Sequence, residues 1–231
     1  MSRYLYALYT LINLAILFWG LVLWLRSRRT SILIITLISF GLVYDNFILT
    51  LGSLLSGGPV LYALSLPRFA LHQLVLPWLI WAAFDQARRA GHAWTSGKQT
   101  AGVILVLCLL VVGLGVATRL IPLDLHLETM DGVTRYFNRG SSGPPIVSIV
   151  SIGFAGVMGW FFWRKNGWPW LFLTAVLVFL GEGIPVEMIR RVLGSGAEVL
   201  FMTALLLTEQ RAASWGKKVP PEGNIPRVQA G

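Results

Sequence analysis

Asp45 stands inside an apolar run, Leu42-Val-Tyr-Asp-Asn-Phe-Ile-Leu-Thr50, between Tyr44 and Asn46. Placing an ionisable side chain at the centre of a hydrocarbon layer costs about 2.5–3.5 kcal/mol even on a lenient scale, so it normally faces a partner or a cavity. Arg68 and His72 follow, four residues apart and therefore on one helical face. Glu182 lies between Gly181 and Gly183 at the end of a later apolar run, Glu187, Arg190 and Arg191 come next, and Glu198 opens the last run. Burial favours a neutral carboxyl and a neighbouring arginine favours an ionised one, so such a set can hold a general acid opposite a general base. Isomerisation, cyclisation or hydrolysis of a lipid needs that combination. Asp45, Glu198, His72 and Glu182 are the candidate catalytic residues, and Tyr44, Asn46, Arg68, Trp78 and Glu187 the candidate substrate-binding ones. Tyr44, Phe47 and Trp78 could also steady a carbocation through their ring faces.

Two other uses of the same residues compete with this one. Asp45 could pair with Arg68, and Glu187 with Arg190 or Arg191, merely to lock helices together. A metal held by His72, Asp45 and a later acid is the weaker alternative. The chain has three histidines and no His-x-x-x-His or Glu-x-x-His pair, so neither a metal nor another cofactor is expected.

The elements that must position these residues are membrane spans. Of 231 residues 55% are hydrophobic and 13% charged, with a mean hydropathy of +0.69. A soluble domain needs more polar surface than that. Runs near the ~20 residues that cross a bilayer recur throughout: roughly 4–25, 31–55, 67–84, 101–121, 145–163, 168–184 and 197–211. The expected fold is all-α, a seven-transmembrane-helix bundle over residues 1–213, with a disordered tail over 214–231. Pro67 should start the third span and Pro77 kink it. Residues 85–99 read as a basic loop, with Asp85 to Arg89 and Thr208 to Arg211 as interfacial caps. The segment Asp124-Leu-His-Leu-Glu128 alternates like an edge strand or amphipathic loop that could cover a pocket mouth, and a solvated loop is its expected state. The first run ends in Arg26-Ser-Arg-Arg29 rather than a small-residue cleavage site, so it reads as a span and not a cleavable signal.

Seven spans with the N-terminus outside place twelve of the 19 Lys and Arg on the cytoplasmic side and seven of the ten acids opposite. The formal charge of +9 then reflects orientation in a membrane rather than nucleic-acid binding. The expected location is a bacterial inner (plasma) membrane, and the expected partners are membrane lipid and a hydrophobic small molecule. Single Cys108 forbids an intrachain disulfide. In that arrangement the second, third, sixth and seventh spans bring the acids, His72 and Arg68 to one depth, offset to the outer side.

Seven spans also suggest a rhodopsin, but the last contains no lysine for a retinal Schiff base. In length and layout the chain resembles the small seven-helix integral-membrane terpene cyclases of meroterpenoid pathways, which carry one acid in the second helix and another in the seventh. Those positions match Asp45 and Glu198. The resemblance implies that this pair protonates an epoxide or alkene and steers the resulting cation. Val-Tyr-Asp-Asn-Phe around Asp45 departs from the aromatic–Glu pattern of that family. A transporter or small-molecule receptor using the same cluster as a ligand site is the alternative, and a structural subunit the third class.

Overall fold

The computed structural model describes residues 2–130, 132–140, 144–184 and 187–216, without the side chains of residues 2, 3, 187–192, 213 and 216. It is mostly helical, about 80%. The helices are α1 (Ser2–Ser27), α2 (Thr30–Gly52), α3 (Pro59–Val75), α4 (Leu79–Arg89), α5 (Lys98–Gly115), α6 (Ile146–Asn166), α7 (Trp170–Glu182) and α8 (Glu187–Gly216). A 3-10 turn, Leu76–Trp78, joins α3 to α4 in one rod, so the described residues form seven rods. Five of these are long and apolar enough to cross a membrane: Tyr4–Ser27, Thr30–Gly52, Pro59–Arg89, Lys98–Leu120 and Ile146–Asn166. α7 is apolar but has 13 residues, about 20 Å of helix.

Consecutive rods pack against each other, and α8 returns to α1, closing a ring. α2 and α4 also touch α8 directly, which brings three rods together across the centre. Short connections alternate the direction of the rods, so the start of α1 and the end of α8 lie at opposite ends. Tyr6 packs with Leu49 and Val133 at one end, and Trp215 stacks on Phe162 at the other. The main core joins Ile35, Leu79, Ala83, Phe162, Leu171, Leu205 and Leu206. Small residues allow the closest approaches: a Cβ on Gly159 would sit 2.5 Å from the Phe172 backbone nitrogen.

Three boundaries differ from the sequence reading, each for a local reason. The third rod begins at Pro59 instead of Pro67, because Gly58 takes φ 98 and Pro59 sits in the first turn. Pro67 is carried inside α3, while Pro77 interrupts the rod as expected, through the 3-10 turn. Asp85 to Arg89 continue α4 rather than entering a loop, and α8 starts ten residues before Ala197. The tail beyond 216 lies outside the described residues.

The stretch after α5 departs most from expectation. Val116–Leu120 widens into a π turn. The expected solvated loop is instead an antiparallel hairpin, β1 (Leu125–Met130) with β2 (Val133–Asn138), in the register Leu125↔Asn138 to Met130↔Val133. It is docked on the helices. The end of α2 meets β2 so closely that a Cβ on Gly52 would overlap the Thr134 carbonyl. Asn138 ties the base of the hairpin to the π turn: its Nδ2 donates to the Arg119 carbonyl at 2.8 Å, and its Oδ1 accepts from Asp124 and Gly140 N–H groups at 3.0 Å.

Candidate functional site

Helical spacing decides which side chains face the centre. Leu37, Gly41 and Asp45 form one inward stripe of α2, with Ile38 and Leu42 beside it. α3 adds Arg68 and His72, the 3-10 turn after it Leu76, α6 adds Ser148 and Ile152, α7 adds Val178 and Glu182, and α8 adds Glu198, Phe201 and Met202. Together they line a chamber of about 290 Å³. A second cavity of about 280 Å³ lies under the hairpin, a vestibule bounded by Arg119 of the π turn, Arg135 to Asn138 of β2, and Phe69 and Gln73 of α3.

The two cavities share Asp45, Arg68, His72, Pro145 and Ser148. Within that layer Arg68 Nε donates to Asp45 Oδ1 at 2.5 Å. His72 Nε2 and Ser148 Oγ share a hydrogen bond of 2.9 Å. His72 is exposed although it sits among helices, because both cavities open onto it. The Arg68 side chain is 11% exposed and that of Asp45 40%, so the guanidinium is packed while the carboxylate looks into open space. Arg68 Nη1 is buried and has no partner among the described residues.

Three carboxylates, Asp45, Glu182 and Glu198, therefore face one chamber from three helices. Glu198 has no hydrogen bond or ion pair among the described residues. The Glu182 carboxylate lies over the backbone of Gly194, 2.7 Å from where a Cβ would be. Below them the chamber meets Phe201 and Met202, then the packed layer of Ile35, Leu79, Ala83 and Leu205. The cavity is closed on that side.

All four candidate catalytic residues line the chamber, as does Arg68. Tyr44, Asn46 and Trp78 are placed elsewhere. Tyr44 turns its hydroxyl to the Leu64 carbonyl at 2.8 Å. Asn46 is buried and donates to the Leu42 carbonyl at 2.9 Å. Trp78 packs against the main core and against a second cluster that includes Ile80, Phe84, Ile104 and Cys108, and Phe47 faces outward, 46% exposed. The side chain of Glu187 lies outside the described residues. Phe201 is the aromatic side chain that the chamber does present. Among the described residues no three His, Cys, Asp or Glu side chains gather as metal ligands would.

Sequence reasoning missed Ser148, Arg119 and the hairpin residues. The fifth span looked bare because it is bare of charge, and one serine three residues inside its proline start gives little signal. The hairpin did carry one: alternating Leu125–Met130 and Val133–Asn138 flank an Asp131-Gly132 pair, the strongest short-range hairpin signature.

A second polar cluster lies at the other end of the bundle. Arg89 grips the Glu209 carboxylate with both terminal nitrogens and donates to Ser31 Oγ at 2.8 Å. Asp85 Oδ2 stands 3.2 Å from it, and Arg29 adds a 3.5 Å contact to Glu209. The Glu209 side chain is 1% exposed. Neither cavity reaches this cluster.

Compared with known proteins, the chain matches no family model, no curated protein and no solved structure.

Proposed function

We propose that the protein is an integral-membrane enzyme using acid/base chemistry on a hydrophobic, isoprenoid-like or lipid substrate, of cyclase or isomerase type. The observation that supports this is the chamber: three carboxylates with Arg68, His72 and Ser148 in a cavity whose remaining lining is apolar, closed beyond Phe201 and Met202. Its ~290 Å³ approaches the lower range of small-molecule sites. Glu198 has the role of the acid and gives its proton to an alkene or epoxide of the bound chain. Asp45, ion-paired with Arg68, faces the developing cation and takes a proton from a neighbouring carbon. The sequence is redox-neutral: one proton enters, one leaves, and the product is an isomer. Glu182 and Phe201 flank the cation's path, and His72 is the group through which protons pass between chamber and vestibule.

In this reading the rods span a plasma membrane with the hairpin end outside and the C-terminal end of α8 cytoplasmic, in keeping with the Lys and Arg bias. The layout shared with the seven-helix terpene cyclases, an acid in the second helix and one in the seventh, supports the same chemistry. A small-molecule receptor is the second reading, favoured by the same one-sided opening. The apolar floor argues against a transporter, which needs access from both faces.

The test is a comparison, by mass spectrometry, of lipid extracts from cells expressing the wild type or Glu198→Gln at equal protein levels. The variant should lack one hydrophobic species and accumulate an isomer of the same mass. Identical extracts, in a host shown to supply such lipids, would remove the enzymatic reading.

A further inference from the structure

Ser148 is the hydroxyl that both cavities share, and its hydrogen bond crosses between helices. A serine inside a helix commonly returns its hydroxyl to the carbonyl four residues back, as Ser39 does to Ile35 at 2.9 Å and Ser65 to Leu61 at 2.7 Å. Ser148 stands in the first turn of α6, so the carbonyl four back is that of Pro144. Arg119 Nη2 and the Ile146 N–H already donate to that oxygen, at 2.7 and 2.9 Å, which occupies the two lone pairs of a carbonyl. The Ser148 hydroxyl is turned instead across to α3, 2.9 Å from His72 Nε2. With the ring proton on Nδ1, the hydroxyl donates to Nε2.

A hydroxyl within hydrogen-bond reach of an imidazole is the arrangement of a nucleophile and its base. Asp45 is committed to Arg68, and the pair stands as a dyad. Its place matters as much as its geometry, because Ser148 and His72 line both the chamber, with its long apolar wall, and the polar vestibule. We infer that Ser148 is a nucleophile and His72 its general base, acting on a carboxylic ester whose acyl chain lies in the chamber and whose alcohol part lies in the vestibule. Ser148 Oγ bonds to the carbonyl carbon and its proton passes to His72 Nε2. The carbon–oxygen bond to the alcohol then breaks, and the alcohol leaves with that proton. Water entering from the vestibule repeats the exchange, which frees the acid and restores Ser148. The first turn of α6 sets the positive end of its helix dipole beside the carbonyl oxygen as that oxygen gains charge. This activity goes beyond the isomerase reading and needs neither Glu198 nor a carbocation.

The full chain in neutral detergent can be treated with decanesulfonyl fluoride, which an activated serine attacks at sulfur with loss of fluoride to leave a stable sulfonate ester. Mass spectrometry should find one adduct per chain, on the peptide that holds Ser148, and the modified protein should no longer hydrolyse p-nitrophenyl decanoate. At equal concentration in the micelles, methanesulfonyl fluoride should react about tenfold or more slowly, since it has no chain to bury in the chamber. His72→Gln should slow the modification about 100-fold or more, the range of a lost general base. A wild type that stays unmodified, or is modified at another residue, would overturn the proposal whether or not any variant folds. Equal rates for the two reagents would overturn the place of the acyl chain. A His72→Gln protein of unchanged melting temperature, modified as fast as the wild type, would overturn the dyad. An adduct on Ser148 beside lipid extracts that Glu198→Gln leaves unaltered would keep the nucleophile and reject the isomerase. The absence of an adduct beside a Glu198-dependent product would do the reverse.

Discussion

Two half-buried arginines sit at opposite ends of this bundle, and their surroundings differ in kind. Arg89 is saturated: Glu209 takes both terminal nitrogens, Ser31 and Asp85 take more, and no cavity touches the group. Arg68 makes one hydrogen bond, to Asp45, keeps a buried N–H without a partner among the described residues, and stands between two cavities. Buried charges are tolerated when every polar atom is paired. The Arg89 cluster meets that condition and serves as a lock among α2, α4 and α8. The Arg68 cluster falls short of it and borders open volume, where unsatisfied polar groups mark places for water or a ligand.

The contrast predicts opposite consequences for removing the acid at each end. Glu209→Ala takes the buried carboxylate from the half-buried Arg89 guanidinium, and the expected loss is roughly 3 kcal/mol of stability, the low end for a broken buried pair, seen as a large fall in melting temperature in detergent and in folded yield. Survival of that variant with an unchanged melting temperature would erase the distinction between the ends. The hairpin sharpens it next. Gly52→Val drives a side chain into the Thr134 carbonyl, an overpacking penalty of about 1–3 kcal/mol. Protease cleavage between β1 and β2 should speed up while the melting of the Arg89 end changes little.

The smallest effect concerns His92, in the connection after α4. Its ring is buried between Phe161 and Phe162, its Nε2 has no partner among the described residues, and Lys165 holds the neighbouring Gly91 carbonyl at 2.7 Å. Burial first, and the Lys165 charge second, lower its pKa from the usual 6.5. The unfolded chain therefore binds this proton more readily than the folded one. The stability His92 contributes is complete above pH ~6.5 and lost as pH falls below it. His92→Phe should flatten the decline of melting temperature on acidification; an unaltered slope would assign that decline to other groups.

The helical rods and the acids of the chamber were legible in the sequence because each carries a strong signal. Long apolar runs state the rods, and an ionisable residue within one, such as Asp45, states its own exception. Arg68 and His72 followed from their spacing. Pairing information was absent where contacts join distant segments: nothing local in Asp85-Gln-Ala-Arg-Arg89 shows that Arg89 meets Glu209 120 residues later, so a lock read as interfacial anchors. Tyr44, Asn46 and Trp78 were grouped with the site because they are neighbours in sequence or depth, yet a helix turns adjacent residues to different faces. Asn46 points away from Asp45 for that reason. The hairpin is harder to see because a polar alternating segment in an apolar chain resembles a loop, although Asp131-Gly132 is a turn signal.

The most direct test of the account is Asp45→Asn, measured for stability and product formation in the same purified preparation. Because Asp45 borders open volume and Arg68 keeps a polar partner in asparagine, the melting temperature should stay within about 3 °C of wild type, equivalent to under ~1 kcal/mol. Product formation should fall by about 100-fold or more, the range of a lost acid/base group. A melting temperature that drops as far as that of Glu209→Ala, with product proportional to folded protein, would make Asp45–Arg68 a second lock and the chamber an empty one.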